Sequence, residues 1–510
     1  MKKALFSLLG VMLVITMLLT ACNGGEKTSN PASSVSDADS VPGGTGEDNS
    51  DPYIDGTDSS TPSGGDANPL KPVDGTTTTG KKQGGGSTTT TTTKGTKGGG
   101  NSQQPAGKYD PYAGITKDMS GKTVKILIVN GPGDDDTAAG DAFKRKTGIR
   151  YRFLGVPLPM YKTKLVAMVA SDQAPDLAVM TVAGTGDFPA MILNGTVQPL
   201  PAGVFDVNRD TELDKYQMEF TSWGGKMYGI QLKNSTEYQR GVIVYNKALF
   251  QERGVTTPYE LWKKGDWNRD TFAETMKKMT YTQGTEKVYG FAESDGIRSL
   301  MAAAETDFVL KDKNDKFVNN VTGKEVISIM QWAADLREKG YWYGDSNGAS
   351  GLFSSGKAAM WADMSWIMAK LTGVYEKVPN AEVVPIPSGK GDKVVQPIDA
   401  SVWCIPTGAQ NVKEACYFAR YWLDASNVDL NAYYPNKQFV EMHNAMSYAE
   451  NKFSHCSTGV CGYDDVTKHS ELTYAFQMTP NDIPVFLQEK SSMIDGIIKR
   501  INGMKAPAAK

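Results

Sequence analysis

The sequence predicts an α/β fold of two lobes, preceded by a tether that does not fold. Three observations carry this expectation. Apolar strand-like runs alternate with amphipathic helical runs from about residue 119 onward. Residues 119–510 exceed the length that one hydrophobic core usually serves, so two lobes are expected. Residues 22–118 are rich in Thr, Gly and Ser and carry few large apolar groups, so nothing offsets the entropy of ordering them.

Taken in chain order, residues 1–21 read as an export signal. Lys2 and Lys3 form a basic start, and Ala4 to Leu19 is almost wholly apolar but short for a spanning helix. The run closes on Leu19-Thr20-Ala21-Cys22, which resembles the bacterial lipobox. That resemblance implies cleavage before Cys22, lipidation of its thiol, and a chain held on the outer face of the cytoplasmic membrane. The tether from 22 to 118 follows, with an expected mean reach of about 50–60 Å as flexible chain. Its threonine run, Thr88 to Thr93, also suits an O-glycosylated stalk.

The first folded stretch is Val124 to Val129, apolar except for Lys125, as in a strand buried on both faces. A Gly/Asp turn leads to a helix ending at Thr147-Gly148, and Tyr151 to Leu154 reads as the second strand. Tyr161 to Ser171 puts Leu165, Met168 and Val169 on one helical face; Ala174-Pro175-Asp176 breaks it, and Leu177 to Val182 is the third strand. Sheets built this way bind ligands at the carboxyl ends of their strands. A second set begins with Val242 to Tyr245, followed by a helix from Asn246-Lys247. Asp266 to Phe272 opens another helix, carrying Phe272, Met276 and Met279. Asp312 to Lys316 lacks the glycine and closing glutamate of a calcium loop and reads as a hairpin turn. Val326 to Gly340 is an amphipathic helix through Ile329, Met330, Ala333 and Leu336.

Composition excludes some partners. The net charge of −3 becomes −5 when Lys2 and Lys3 leave with the signal. With no basic stripe, nucleic acid is not an expected partner. Beyond Cys22 there are Cys404, Cys416, Cys456 and Cys461. Cys404 lies in the apolar run Val402-Trp403-Cys404-Ile405 and is expected to pack as a small hydrophobe. Cys456 and Cys461 either pair, as export permits, or stay as thiols. Neither they nor His455 and His469 show a recognised metal-ligand spacing, so no metal or cofactor is expected.

Six elements, in order, carry a family resemblance. They are Tyr161 to Met168 with Ala174-Pro175-Asp176; Gly225 to Ile230; Val244 to Lys247; Trp267 to Phe272; Gly356 to Met360 ending at Trp366; and Ile405 to Ala409. Over essentially all of 119–510 the chain resembles extracellular solute-binding proteins of the maltose-binding type. The resemblance implies a periplasmic-binding-protein-like fold whose two α/β lobes, joined by hinge crossovers, close over a ligand delivered to an ABC importer. The crossovers would lie near Ile230 to Tyr238 and Val394 to Ala400. An N-lobe of about 119–233 and 397–425, a C-lobe of about 237–392 and shared helices over 426–510 follow. The implied partners are a carbohydrate and the permease subunits; a monomer is expected.

Candidate ligand residues follow from this placement. A sugar has flat C–H faces and a rim of hydroxyls, so an aromatic face beside carboxylates and amides complements it. The tryptophan after the Gly-Lys-Ala-Ala-Met strand stacks on sugar in the family, and Trp366 resembles it, with packing between the lobes as its other reading; Trp361, inside the apolar run, reads as core. Asp363 either touches ligand or caps the next helix. Asn130 and Asp134 follow the first strand, where a solvated turn serves equally well. Asp187 follows the third strand, again as ligand contact or cap. Asn234 and Glu237 lie on the first crossover, Asp399 on the second, and Glu305 falls where the family places an acidic contact. Trp403 beside Asp399 reads as core.

The enzyme-class rival is an extracellular glycoside hydrolase, which needs two carboxylates at a set separation. With 57 acidic residues some such pair is inevitable, and no local motif distinguishes one. No Gly-x-Ser-x-Gly or phosphate loop occurs, and all three histidines fall within 443–469. A non-enzymatic binding role is therefore expected, with a peptide or other non-sugar solute as the rival ligand.

Overall fold

The computed structural model describes residues 109–181, 188–294, 297–345, 348–370, 373–388, 394–399, 401–454 and 471–504. Residues just before the expected boundary at 119 already pack on the fold. Tyr109 and Tyr112 are the reason: the Tyr112 ring meets Tyr421 at 6.1 Å and carries the Lys146 ammonium at 4.2 Å. Arg209 lies over the Tyr109 ring at 5.2 Å, and the Tyr109 hydroxyl accepts the Asp206 N–H at 3.4 Å. An average composition over 22–118 hides these few aromatic anchors.

Strands β1 (Thr123–Val129), β2 (Arg150–Val156), β3 (Leu177–Thr181), β4 (Val197–Gln198) and β7 (Gly229–Ile230) belong to the first lobe. The hairpin of β5 (Ser222–Trp223) and β6 (Lys226–Met227) precedes β7. The second lobe holds β8 (Gly241–Asn246), β9 (Tyr281–Gln283), β10 (Glu286–Glu293), β13 (Trp342–Tyr343), β14 (Ala358–Met364) and β15 (Ala381–Pro385). Its hairpin is β11 (Val309–Lys311) with β12 (Phe317–Asn319), turned at the expected aspartates, with Asp315 at φ +58°. After the crossover strand β16 (Val395–Ile398), β17 (Ser401–Pro406) re-enters the first sheet, and β18 (Asn451–Ser454) pairs with β16.

The first sheet has the order β2-β1-β3-β17-β4, with β7 also on β17. β1 runs parallel to β2 and β3, and β17 runs against β3. Period-two alternation divides its residues between two cores. Val124, Ile126, Leu177, Trp403 and Ile405 pack on one face, and Leu127, Leu154, Ala178, Val402 and Cys404 on the other. The Asp176 of the Ala-Pro-Asp break is fully buried and accepts the N–H groups of Lys125, Gln410 and Asn411 at 2.9, 2.9 and 2.8 Å. It thereby pins β1 and β3 to the start of helix 412–422, a structural role that explains why this break ends in an aspartate.

The second sheet has the order β13-β10-β14-β8-β15, with β8 antiparallel to both neighbours. Tyr245, Phe291 and Met360 face one core; Val244, Ala292 and Trp361 face the other. The helices after 426, expected to be shared, put their apolar faces against this lobe. Phe439, Met442 and Met446 join Val242 and Val244, while Ile483, Leu487 and Ile494 join Phe291 and Trp342. Strand β18 reaches the first lobe through Lys452, whose ammonium lies 2.6 Å from the buried Asp214 carboxylate.

Residues 231–240 carry the chain from β7 to β8, and 386–400 carry it back from β15 to β17. The two crossings lie side by side: Arg240 bridges Ile398, and the Asp399 N–H donates to the Gln239 carbonyl at 3.0 Å. The two hairpins also meet. Lys311 donates to the Phe220 and Ser222 carbonyls at 3.1 and 2.7 Å, and the Gly224 N–H donates to Asp315 at 2.8 Å.

Candidate ligand cleft

The carboxyl ends of β1, β2 and β3 open toward the crossovers, as do those of β10 and β14 in the other lobe. On the first-lobe wall, Asn130 ends β1 at φ +62° and donates its N–H to the Val156 carbonyl at 2.9 Å, leaving its side chain exposed. Gly155 on the neighbouring strand is forced: a Cβ there would lie 2.7 Å from the Gly131 Cα. Asp134 is the first residue of helix 134–147. Asp136, two positions on, accepts the Gly133 N–H at 2.8 Å and so caps that helix. Asp187 lies outside the described residues, as do Cys22, Cys456 and Cys461.

The cleft floor is the first crossover. Asn234 donates its amide to Asp424 at 3.2 Å, and its carbonyl accepts from His443 Nε2 at 2.9 Å. Because a carbonyl only accepts, His443 carries its proton on Nε2, and Nδ1 accepts the Tyr434 hydroxyl at 2.8 Å. Burial first, and the nearby Arg240 charge second, depress the His443 imidazole to about 3. Glu237 is exposed to solvent on this crossover. Desolvation by the neighbouring protein, followed by the charge of Asp136, pushes its carboxyl up to about 7. The Asp136 and Glu237 carboxylates thus lie near enough for one charge to act on the other. Asp399, on the return crossing, is 5% exposed, and its carbonyl accepts the Gln217 amide at 3.2 Å.

The second-lobe wall is the end of β14. Trp361 is 2% exposed and donates its indole N–H to Ser294 Oγ at 2.8 Å, packed near Phe353. Trp366, in the tight turn Ser365–Met368, is 49% exposed and donates to Asp363 Oδ1 at 3.1 Å. Asp363 itself is buried, and its carboxylate accepts both the indole N–H and the Met364 N–H. Glu305 sits at φ +54° just beyond helix 298–303. Trp403 is buried against Trp422 at 4.1 Å between ring centres.

Sequence reasoning missed four contributors: Ser294 behind Trp361, Ser365 before Trp366, and the Arg240 and His443 that shape the floor. A charged residue one glycine ahead of the apolar Val242 to Tyr245 was the available signal for Arg240.

Residues 138–433 match the profile of the bacterial extracellular solute-binding proteins. The chain belongs to that family. No curated protein sequence matches this solute-binding chain. Among solved structures it is similar to an ABC substrate-binding protein from Listeria monocytogenes in complex with cycloalternan. That pair shares 17% identity, covers 75% of this chain and 100% of the other, and has a TM-score of 0.55. It is similar to a cyclo/maltodextrin-binding protein complexed with maltotetraose at 16% identity, covering 75% and 98%, with a TM-score of 0.56. An extracellular solute-binding protein from Staphylococcus aureus in complex with maltose matches at 13% identity, covering 74% and 98%, with a TM-score of 0.57. At these identities the likeness is one of fold, the two-lobed arrangement common to solute-binding proteins.

Proposed function

We propose that this solute-binding protein captures a carbohydrate, an oligosaccharide in particular, by lobe closure and delivers it to the permease subunits of an ABC importer. The observation that carries the reading is Trp366: a half-exposed indole at a strand end, its edge tied to Asp363 and its face open. Glu237 and Asn130 supply hydroxyl partners from the floor and the opposite wall. Bound oligosaccharides in several proteins of similar fold support the same ligand class. Calorimetric titration with maltotetraose, mannotriose, cycloalternan and a mixed peptide library tests it. Saturable heat with a sugar and none with peptides is expected; the reverse would replace carbohydrate by peptide.

Lipid attachment at Cys22, a monomeric exported domain and a flexible tether complete the proposal. Cys22→Ala should release the protein from the membrane fraction, since two acyl-type signals are what stable anchoring needs. Full retention of that variant would refute lipid anchoring.

A further inference from the structure

We infer that Ser365 is a positioning residue for the ligand site, fixing Trp366 and the Glu237 loop as one rigid half-site on the second lobe. The inference rests on the carbohydrate-stacking reading of Trp366.

The β14–β8 ladder pairs Met360 with Tyr245 and ends with Met364 opposite Gly241. The next rung would pair residue 365 with residue 240. The chain instead turns into the helical turn Ser365–Met368, so its backbone no longer offers strand partners. The Ser365 side chain takes over. Its hydroxyl accepts the Arg240 N–H at 3.1 Å and donates to the Tyr238 carbonyl at 2.9 Å. All three residues are buried, with Ser365 7% exposed, Arg240 1% and Tyr238 0%. One hydroxyl therefore joins the residue before the stacking ring to the crossover.

The crossover segment at that junction is itself stiff. The Arg240 guanidinium donates to the carbonyls of Lys233, Ser235 and Tyr238, winding 233–240 around one side chain. It also donates to Ser447 Oγ at 3.0 Å, and His443 holds Asn234, so helix 437–447 fastens the loop to the second lobe. Glu237 lies inside this loop, its own N–H donated to Ser235 Oγ at 3.1 Å. Ser365 is thus the link through which the aromatic face and the carboxylate keep their spacing. A half-site fixed before closure lowers the ordering cost of binding.

Fluorine NMR of the full chain labelled with 5-fluorotryptophan tests this without ligand. Trp366→Phe and Trp361→Phe assign the two signals. Ser365→Ala should shift and broaden the Trp366 signal and leave that of Trp361 in place, while Ser365→Thr restores the native spectrum. If the alanine variant does not fold, Ser365→Cys, close in size but a weaker hydrogen bonder, should show the same change on a smaller scale. An unmoved Trp366 signal overturns the inference.

Titration with maltotetraose adds a double-mutant cycle. Ser365→Ala should weaken binding about tenfold, the loss of two modest hydrogen bonds, and should cost nothing further in the Trp366→Ala background. An equal loss in both backgrounds marks a merely structural serine and overturns the inference. Native affinity in Trp366→Ala itself refutes the stacking reading, a separate failure from native affinity in Ser365→Ala alone. If this tetrasaccharide does not bind, the fluorine spectra decide.

Discussion

The indole nitrogen of Trp366 donates to the Asp363 carboxylate at 3.1 Å, which fixes the ring by its edge and leaves its face to solvent. Five residues earlier, Trp361 spends its own N–H on Ser294 inside the core. The strand thus buries one tryptophan, and the turn at its end exposes the other.

Trp366→Ala is expected to weaken oligosaccharide binding by about 2–4 kcal/mol, roughly 30- to 1000-fold, as for a central aromatic anchor. Its unfolding free energy should change little. Trp361→Ala should cost about 3–5 kcal/mol of stability through the cavity it leaves. Urea unfolding beside calorimetry separates the two, and exchanged phenotypes would mean the residues have been assigned the wrong way round.

Glu237 gives a pH signature. Its folded carboxyl titrates near 7 against an ordinary value of 4.5, so the folded state favours the protonated form. The stability it contributes is complete below 4.5 and is lost as pH rises through 7. Glu237→Gln should remove that decline, raising Tm above native at pH 7.5 while matching it at pH 4.5. A variant that follows the native curve at both pH values would contradict the desolvation of Glu237 on this crossover.

His443 acts in the opposite sense. Its folded imidazole is depressed to about 3, so the stability tied to its neutral form is complete above 6.5 and is lost as pH falls toward 3. Thermal scans of His443→Gln should show a lower Tm at neutral pH, from the lost bonds to Tyr434 and Asn234, and a shallower acid decline. Because the Glu237 and His443 effects oppose each other between 4.5 and 6.5, the native curve is expected to be flatter there than that of either variant.

Asp176→Ala should destabilise by about 3–5 kcal/mol. It strips three part-buried N–H groups of their acceptor at the seam between β1, β3 and helix 412–422. Denaturant titration measures this, and a loss under 1 kcal/mol would mean the seam is held by apolar packing alone.

The strands were legible because burial on both faces leaves a nearly unbroken apolar run, as in Val124 to Val129 and Val242 to Tyr245. Trp361 and Trp366 were separable for a related reason: one lies within such a run and the other beyond its end. The cleft floor was less legible. Arg240 works through backbone carbonyls and His443 through one hydroxyl and one carbonyl, and neither pattern leaves a spacing in sequence. Glu305 rests on transferred position alone, and the chain sets it in a left-handed turn after helix 298–303. The packing of Tyr109 and Tyr112, inside the expected tether, escaped because a long polar average hides a few aromatic contacts.

The chain enters the fold against the first lobe alone, through Tyr109 on Arg209 and Tyr112 on Tyr421 and Lys146. Any pull transmitted from upstream is borne by those aromatic contacts, and the crossovers at 231–240 and 386–400 carry none of it. A molecule held by the residues before Tyr109 would hang from the first lobe, with the crossovers outside the line of load.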